Sequence, residues 1–551
     1  MRVARSRAGL ATVLAVVLAS AACATSASPD SGEVPSSAAG PLTQVMPTMA
    51  AVTDSVRHTP VPTLAWGPTV VEAARQRSQA ASLPLEQAAG MVLIASWNSP
   101  DAAGAANLVA TEHLAGLVLM GDAMVDRDQV TALTTAITEA GARDSRWWPT
   151  IVSTDQEGGT VARLRGLGPD LPAFMAAGSA TDLTSVREAY AAQARDMRAL
   201  GFTVNWAPDA DVTAGASDAA VGVRSAGTDP QRVAATVVEA VTGFSEGGIV
   251  PAIKHYPGHG SVSTDSHQGL PVQDAPVSTL AQRDLVPFAL AIDAGVPIIM
   301  TGHIAVSEWG SEPATLNPAA YNYLRDTLKF TGVVVTDAMN MGAITNGHDP
   351  QQSVVDALAS GADLIMMPVD PAAARQAIID AVNSGQLDRG RLDEAVGRVA
   401  LLMQWQEHVA SEATAPTTDD ADYARRAAGQ WATVSTPTCG VPLVGASVTI
   451  RGGWPAERDI LASALAEHGI ATGGGTSITL IGAAGGSANA DVVVALDAPW
   501  GLPTSTATTY IGLYGRSGDA LRALADVLAG TVDARGSWAF DGMPAACGDS
   551  S

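Results

Sequence analysis

Residues 254–267, Lys-His-Tyr-Pro-Gly-His-Gly-Ser-Val-Ser-Thr-Asp-Ser-His, concentrate the groups that can move protons. Three of the nine histidines, His255, His259 and His267, fall in this stretch, and Lys254 is one of two lysines in the chain, with Lys329. Asp265 precedes His267 by two residues. A carboxylate at that spacing can accept one imidazole N–H and raise the basicity of the other ring nitrogen, which general acid/base work needs. The competing reading is a turn-rich surface loop that carries histidines without using them. Lys254, three imidazoles and Asp265 in fourteen residues argue against it.

These groups need a scaffold that holds them at one end. The apolar run 248–253 reads as a buried strand, and Pro257, Gly258 and Gly260 break regular structure after it. Similar runs occur at residues 91–95, 113–120, 149–154, 202–207, 297–301, 332–336 and 362–367, alternating with helical stretches such as 186–200 and 230–246. Eight such units predict a TIM-type (β/α)8 barrel, whose chemistry sits at the carboxyl ends of its strands. A doubly wound open sheet is the competitor. Polar residues fall where the barrel wants them. Asp155, in Asp-Gln-Glu-Gly-Gly, follows the third run. Asn205, Asp209 and Asp211 follow the fourth, with Arg224 beyond. Lys254 and His255 end the fifth run, His303 the sixth and Asp337 the seventh. Asp209 and Asp211 read equally well as caps.

The 551 residues carry a net charge of −24, which argues against a nucleic-acid partner. Residues 1–22 read as a lipoprotein-type signal peptide: Arg2, Arg5 and Arg7, an apolar stretch, then small residues before Cys23. The expectation is an exported protein, lipid-anchored through Cys23 to the outer face of a bacterial cytoplasmic membrane, or else secreted. Residues 23–60, rich in Ala, Ser, Thr and Pro, read as a flexible tether. The catalytic barrel is expected over 61–410, a linker and helix over 411–430 (a linker at 411–420, then a helical pattern from 421 that runs on to 434), and a smaller α/β domain with a mostly parallel sheet over 431–551. The remaining cysteines, Cys439 and Cys547, predict a disulfide in an oxidising compartment, against the alternative of two buried thiols.

The loop 254–267 with Gly269-Leu270-Pro271 resembles a motif of glycoside hydrolase family 3, in its β-N-acetylglucosaminidase branch. Residues 334–341, Val-Val-Thr-Asp-Ala-Met-Asn-Met, are similar to the family's nucleophile strand. Asp155 to Gly159 with Arg163, and Met300 to His303, are similar to two further motifs. The resemblance covers about residues 85–406. It implies a retaining mechanism in which Asp337 is the nucleophile and His267, oriented by Asp265, is the acid/base. It further implies that Asp155, Arg163, Arg224, Lys254 and His255 bind the sugar, with His303 a weaker member of that group. Thr160 and Ala226 stand where the family often has arginine and an aromatic residue, which bears on fine sugar preference. The implied substrate is an N-acetylglucosamine-containing glycan or muropeptide, with no metal or other cofactor and a monomeric enzyme. Two other readings compete. One is a metal-dependent hydrolase with His255, His259, Asp265 and Asp337 as ligands; the other is a non-catalytic glycan-binding lipoprotein.

Overall fold

The computed structural model describes residues 61–550 apart from residue 145 and residues 483–485. The segments expected to be a signal peptide and a tether, with Cys23 between them, lie outside the described residues.

Eight parallel strands form the barrel: β1 (Leu93–Trp97), β2 (Gly116–Leu119), β3 (Ile151–Thr154), β4 (Val204–Asn205), β5 (Val250–Tyr256), β6 (Ile298–Thr301), β7 (Val333–Thr336) and β8 (Ile365–Met366). Neighbours follow chain order, and β8 returns to pair with β1. Between β7 and β8 the ring closes through the Val335–Leu364 bridge and a hydrogen bond from Thr336 N to Leu364 O of 3.0 Å. The strands are built from Val, Ile and Leu, and β2, β3, β6 and β7 are buried along their whole length. That is how a parallel sheet covered by helices must read. Several helices begin at an Asp-Pro pair: Asp229, Asp349 and Asp370 cap the helices Pro230–Glu246, Pro350–Ser360 and Pro371–Ser384. Asp satisfies free N–H groups of the first turn, and Pro at the first position gives up an N–H that had no partner.

The second sheet has six strands: β9 (Thr433–Ser435), β10 (Ser447–Gly452), β11 (Ala471–Thr472), β12 (Thr476–Ile481), β13 (Val492–Ala495) and β14 (Thr509–Gly512). Their order is β9-β14-β13-β12-β10-β11, and only the β9–β14 pair is antiparallel. Helices Pro455–Glu467 and Gly518–Leu528 pack on this sheet. Cys439 and Cys547 are joined by a disulfide, with Cα atoms 5.7 Å apart.

The connection between the two parts differs from the sequence expectation. The last barrel helix runs to Glu412, and the next spans Thr418–Trp431, so the linker is residues 413–417 rather than 411–420. The Asp420 carboxylate accepts from the Thr417 N–H at 3.0 Å, which starts the helix three residues early. The helix ends before residue 434, because Thr433 and Val434, both β-branched, pair with β14 as β9. Loops of the second domain bond directly to barrel loops. Ala173 N donates to Tyr514 O at 2.7 Å, Thr228 N to Ala539 O at 3.0 Å, and Ser537 N to Ser179 O at 2.8 Å.

Candidate active site

The hairpin after β3 carries the first charged groups. The side-chain amide of Asn205, at the end of β4, donates to Gln156 O and accepts from Gln156 N, both at 2.9 Å, locking that peptide. Two glycines let the hairpin lie against its neighbours: a Cβ on Gly158 would meet Pro172 O at 2.4 Å, and one on Gly159 would meet Ala173 Cα at 2.7 Å. Side chains alternate along such a segment, so Asp155 and Glu157 project to the same side.

Lys254 answers both. Its Nζ lies 2.9 Å from Asp155 Oδ1 and 2.6 Å from Glu157 Oε1. The pairing of β5 with β6 shifts between Ile253 and Tyr256, at Lys254 and His255. Such irregularities re-aim side chains near functional sites. Arg224 grips Glu157 in a bidentate pair, Nε and Nη2 each 2.9 Å from a carboxylate oxygen. Burial pushes the Glu157 carboxyl up, but Arg224 and Lys254 outweigh it and hold it well below the usual carboxylate range. Burial likewise opposes the charge on Lys254, and Asp155 and Glu157 outweigh it. Two anions and two cations thus balance in a nearly dry cluster.

His255 is oriented by Asp211, its Nδ1 lying 2.7 Å from Oδ2. A carboxylate only accepts, so Nδ1 carries the hydrogen. Asp211 Oδ1 also accepts the His259 N–H at 2.6 Å. Asp209 next to it is driven well above the usual carboxylate range by burial and the Asp211 charge.

Asp337 follows β7. Its Oδ1 accepts the Ala338 N–H at 2.7 Å. His303 lies behind: Nε2 donates to Ala338 O at 3.0 Å, and Nδ1 faces Thr315 Oγ1 at 2.8 Å. Burial lowers the basicity of His303, which keeps its ring neutral and leaves Nδ1 free to accept. Burial would raise the Asp337 carboxyl, but His255, the Ala338 N–H and Lys254 outweigh it, so it stays below the usual range and ionised.

The loop after β5 brings the remaining imidazole. His267 Nδ1 is 2.8 Å from Asp265 Oδ1, and the His267 backbone N–H donates to the same oxygen at 2.9 Å. Nδ1 is thus the donor, and Nε2 is left for a substrate. The His267 side chain is 68% exposed, which places it at the mouth. The loop is tied to the segment after Asp337: Ala343 N donates to Ser266 O at 3.0 Å, and Asn346 Nδ2 to Gln268 O at 3.1 Å.

Asp155, Arg163, Arg224, Lys254, His255, His267 and Asp337, seven of the residues singled out in the sequence, border one cavity of about 370 Å³. Asp265 stands behind His267, and His303 is sealed off beneath Asp337. Arg163 reaches the cavity without a hydrogen-bond or ion-pair partner among the described residues, and its Nε is buried and unpaired. Glu157 was not singled out, although the motif contains it; its two-residue spacing from Asp155 was the available signal. A larger cavity, about 560 Å³, lies beside the disulfide, but Asp533 and Arg535 are its only charged lining residues. The smaller cavity therefore holds the chemistry. The four ligands weighed for a metal do not gather. Among the described residues only Asp209, Asp211 and His255 bring ligand atoms within 4.8 Å of one another, and His255 and the nearby backbone already engage Asp211.

Residues 86–402 match the model of the glycosyl hydrolase family 3 N-terminal domain. The chain is similar to the β-hexosaminidase LpqI of Mycobacterium tuberculosis, at 34% identity over 312 residues, covering 55% of this chain and 79% of that protein. It is also similar to β-hexosaminidase A of Pseudoalteromonas piscicida, at 30% identity over 327 residues and 54% of each chain. A solved family 3 β-N-acetylglucosaminidase from a Paenibacillus strain superposes with a TM-score of 0.74 at 26% identity, covering 84% of this chain and 99% of that one.

Proposed function

The chain belongs to glycosyl hydrolase family 3, as a glycoside hydrolase of the β-hexosaminidase kind, and we propose that it removes non-reducing terminal β-linked N-acetylglucosamine with retention of configuration. The carrying observation is the single cavity that receives an ionised Asp337 from β7 and a His267–Asp265 pair from the loop after β5. Most retaining glycosidases use two carboxylic acids. Here the paired groups are the Asp337 carboxylate just after β7 and the His267 imidazole at the mouth.

In the first step Asp337 attacks the anomeric carbon, and His267 Nε2–H protonates the departing glycosidic oxygen. In the second, His267 takes a proton from water, which attacks the glycosyl–Asp337 ester and frees the carboxylate. Asp265 holds the Nδ1–H throughout and stabilises the imidazolium. The cluster Asp155, Lys254, Arg224 and His255 offers fixed donors and acceptors to the sugar's hydroxyls. Arg163, whose guanidinium has no partner among the described residues, is suited to a substrate carbonyl such as that of the acetamido group. Glu157 orders Lys254 and Arg224. His303 fixes the Ala338 peptide, which in turn donates to Asp337.

The natural substrate in this reading is a peptidoglycan fragment, met outside the cytoplasmic membrane by an enzyme tethered through a lipid on Cys23. The lipoprotein-type signal and the relatives named β-hexosaminidase support it. The test is hydrolysis of p-nitrophenyl N-acetyl-β-glucosaminide beside the corresponding glucoside, with the product anomer followed by NMR. The β-anomer released first from the N-acetylated substrate supports the reading; an α-anomer, or equal turnover of the two sugars, refutes it.

A further inference from the structure

The carboxyl ends of the second sheet point to the barrel mouth. The loop after β14 bonds to Ala173 beside the Asp155 hairpin, and the strap that follows the last helix bonds to Thr228 beyond Arg224. In an open α/β sheet, ligands settle outside the carboxyl ends of the strands. The turn after β13, Pro499–Gly501, places Trp500 there.

Between this turn and the barrel loop lies a second cavity of about 320 Å³. Gly215, Ala216 and Thr228 border it on the barrel side, and Trp500, Phe540 and Asp541 on the other. Trp500 is half-buried and braced. Its ring meets Phe540 edge to face at 5.2 Å, and Phe540 meets Trp538 at 5.5 Å. Trp538 is pinned in turn, its N–H 2.9 Å from Ser435 Oγ and 3.0 Å from Pro544 O. A braced aromatic face loses little freedom when a ligand lands on it. The Trp500 indole N–H has no partner among the described residues. The Asp541 carboxylate is exposed and likewise unpaired among the described residues. The cavity thus offers an apolar face, one free donor and one free acceptor.

That combination suits a pyranose ring, whose C–H face is apolar and whose edge is a rim of hydroxyls. The cavity shares its loop with the candidate active site. Ala220 borders the candidate active-site cavity and Ala216 this one, four residues apart, a span of at most about 14 Å of extended chain. Ala214 N also donates to Gly260 O at 2.8 Å, on the loop that carries His267.

We propose that Trp500, Phe540, Asp541 and the 214–228 loop form a saccharide subsite on the leaving-group side of the glycosidase cavity, so that the second domain contributes to substrate selection. This rests on the glycosidase reading above. The variants are Trp500→Ala, which removes the platform, and Ala216→Trp, which fills the cavity from an exposed position. The measured quantity is the ratio of kcat/KM for N-acetylglucosamine di- and trisaccharides to kcat/KM for p-nitrophenyl N-acetyl-β-glucosaminide, which carries no second sugar. The expected result is a fall in that ratio of about tenfold in each variant, the loss of roughly 1.4 kcal/mol of binding, chiefly through KM. A ratio within twofold of the unsubstituted enzyme in both folded variants overturns the subsite while leaving the glycosidase reading intact. An unsubstituted enzyme that hydrolyses neither substrate class overturns both.

Discussion

Glu157 is where the site and the stability of the barrel meet. Its carboxylate is buried and bridges two cations, Lys254 at 2.6 Å and Arg224 through two bonds of 2.9 Å. Glu157→Gln keeps the volume and removes the charge, so no cavity term enters. Lys254 then has only Asp155, and Arg224 loses its bidentate partner. Removing one member of a buried ion pair costs about 3–5 kcal/mol, because the remaining charge is left uncompensated. At an m-value of about 3 kcal/mol/M, this is a fall of about 1 M or more in the urea midpoint. Because Lys254 and Arg224 border the substrate cavity, their displacement by about 1 Å should also lower kcat/KM on the order of 100-fold. The assay is urea unfolding followed by circular dichroism, beside turnover of the p-nitrophenyl substrate. The double variant Glu157→Gln/Lys254→Met removes both charges and should recover part of the stability but none of the activity. If Glu157→Gln unfolds within about 0.2 M urea of the parent, or if the double variant costs the sum of the singles, the charge-bridging role of Glu157 is wrong.

Replacing His267 with Ala should cost about 10²- to 10⁴-fold in kcat on saccharide substrates and far less on p-nitrophenyl glycosides, whose leaving group needs little protonation; equal losses on both would count against the acid/base assignment. Burial holds His259 and His303 neutral, with folded-state pKa values below the unfolded value near 6.5, so the unfolded state binds more protons on acidification. Stability from these two rings is complete above about pH 6.5 and should fall as pH drops below it, by at most about 1.4 kcal/mol per pH unit for each ring until its folded-state pKa is passed; urea midpoints that stay level from pH 7 to 5 would contradict this. The Cys439–Cys547 bond closes a loop of 108 residues. Chain entropy assigns such a closure about 4.7 kcal/mol. Cys439→Ala/Cys547→Ala should therefore unfold at clearly lower urea, and an unchanged midpoint would show that the bond does not constrain the unfolded chain.

Much of the barrel was legible because its strands are written in one alphabet. Runs such as Val333–Thr336 and Ile298–Thr301 are apolar throughout, as burial on both faces demands. The helix Pro230–Glu246 could be read to its ends from its Asp-Pro start and the glycines that follow Glu246. β9 was not legible: three residues at the end of a helical pattern become a strand only because β14, more than seventy residues later, offers them an edge. In the site, residues with unusual chemistry stood out by type. Lys254 was conspicuous in a chain with two lysines, and Asp265–His267 by its spacing. What stayed hidden was pairing. Nothing local says that Lys254 will meet Asp155, 99 residues away, or that Asp211 will orient His255 rather than cap a turn. Those partners are set by the closure of the ring, which brings the ends of β3, β4 and β5 side by side. Trp500 and Phe540 were passed over for a similar reason, since they acquire a partner surface only when the second domain meets the barrel loop.

The most direct test of the central claim is to trap the glycosyl–enzyme with a fluorinated N-acetylglucosaminyl donor that forms the intermediate quickly and releases it slowly, then locate the sugar by peptide mass spectrometry. A single sugar mass on the peptide containing Asp337, absent from Asp337→Ala, is the expected result. A sugar carried by another residue, or full turnover with no covalent adduct and an inverted product, would contradict it.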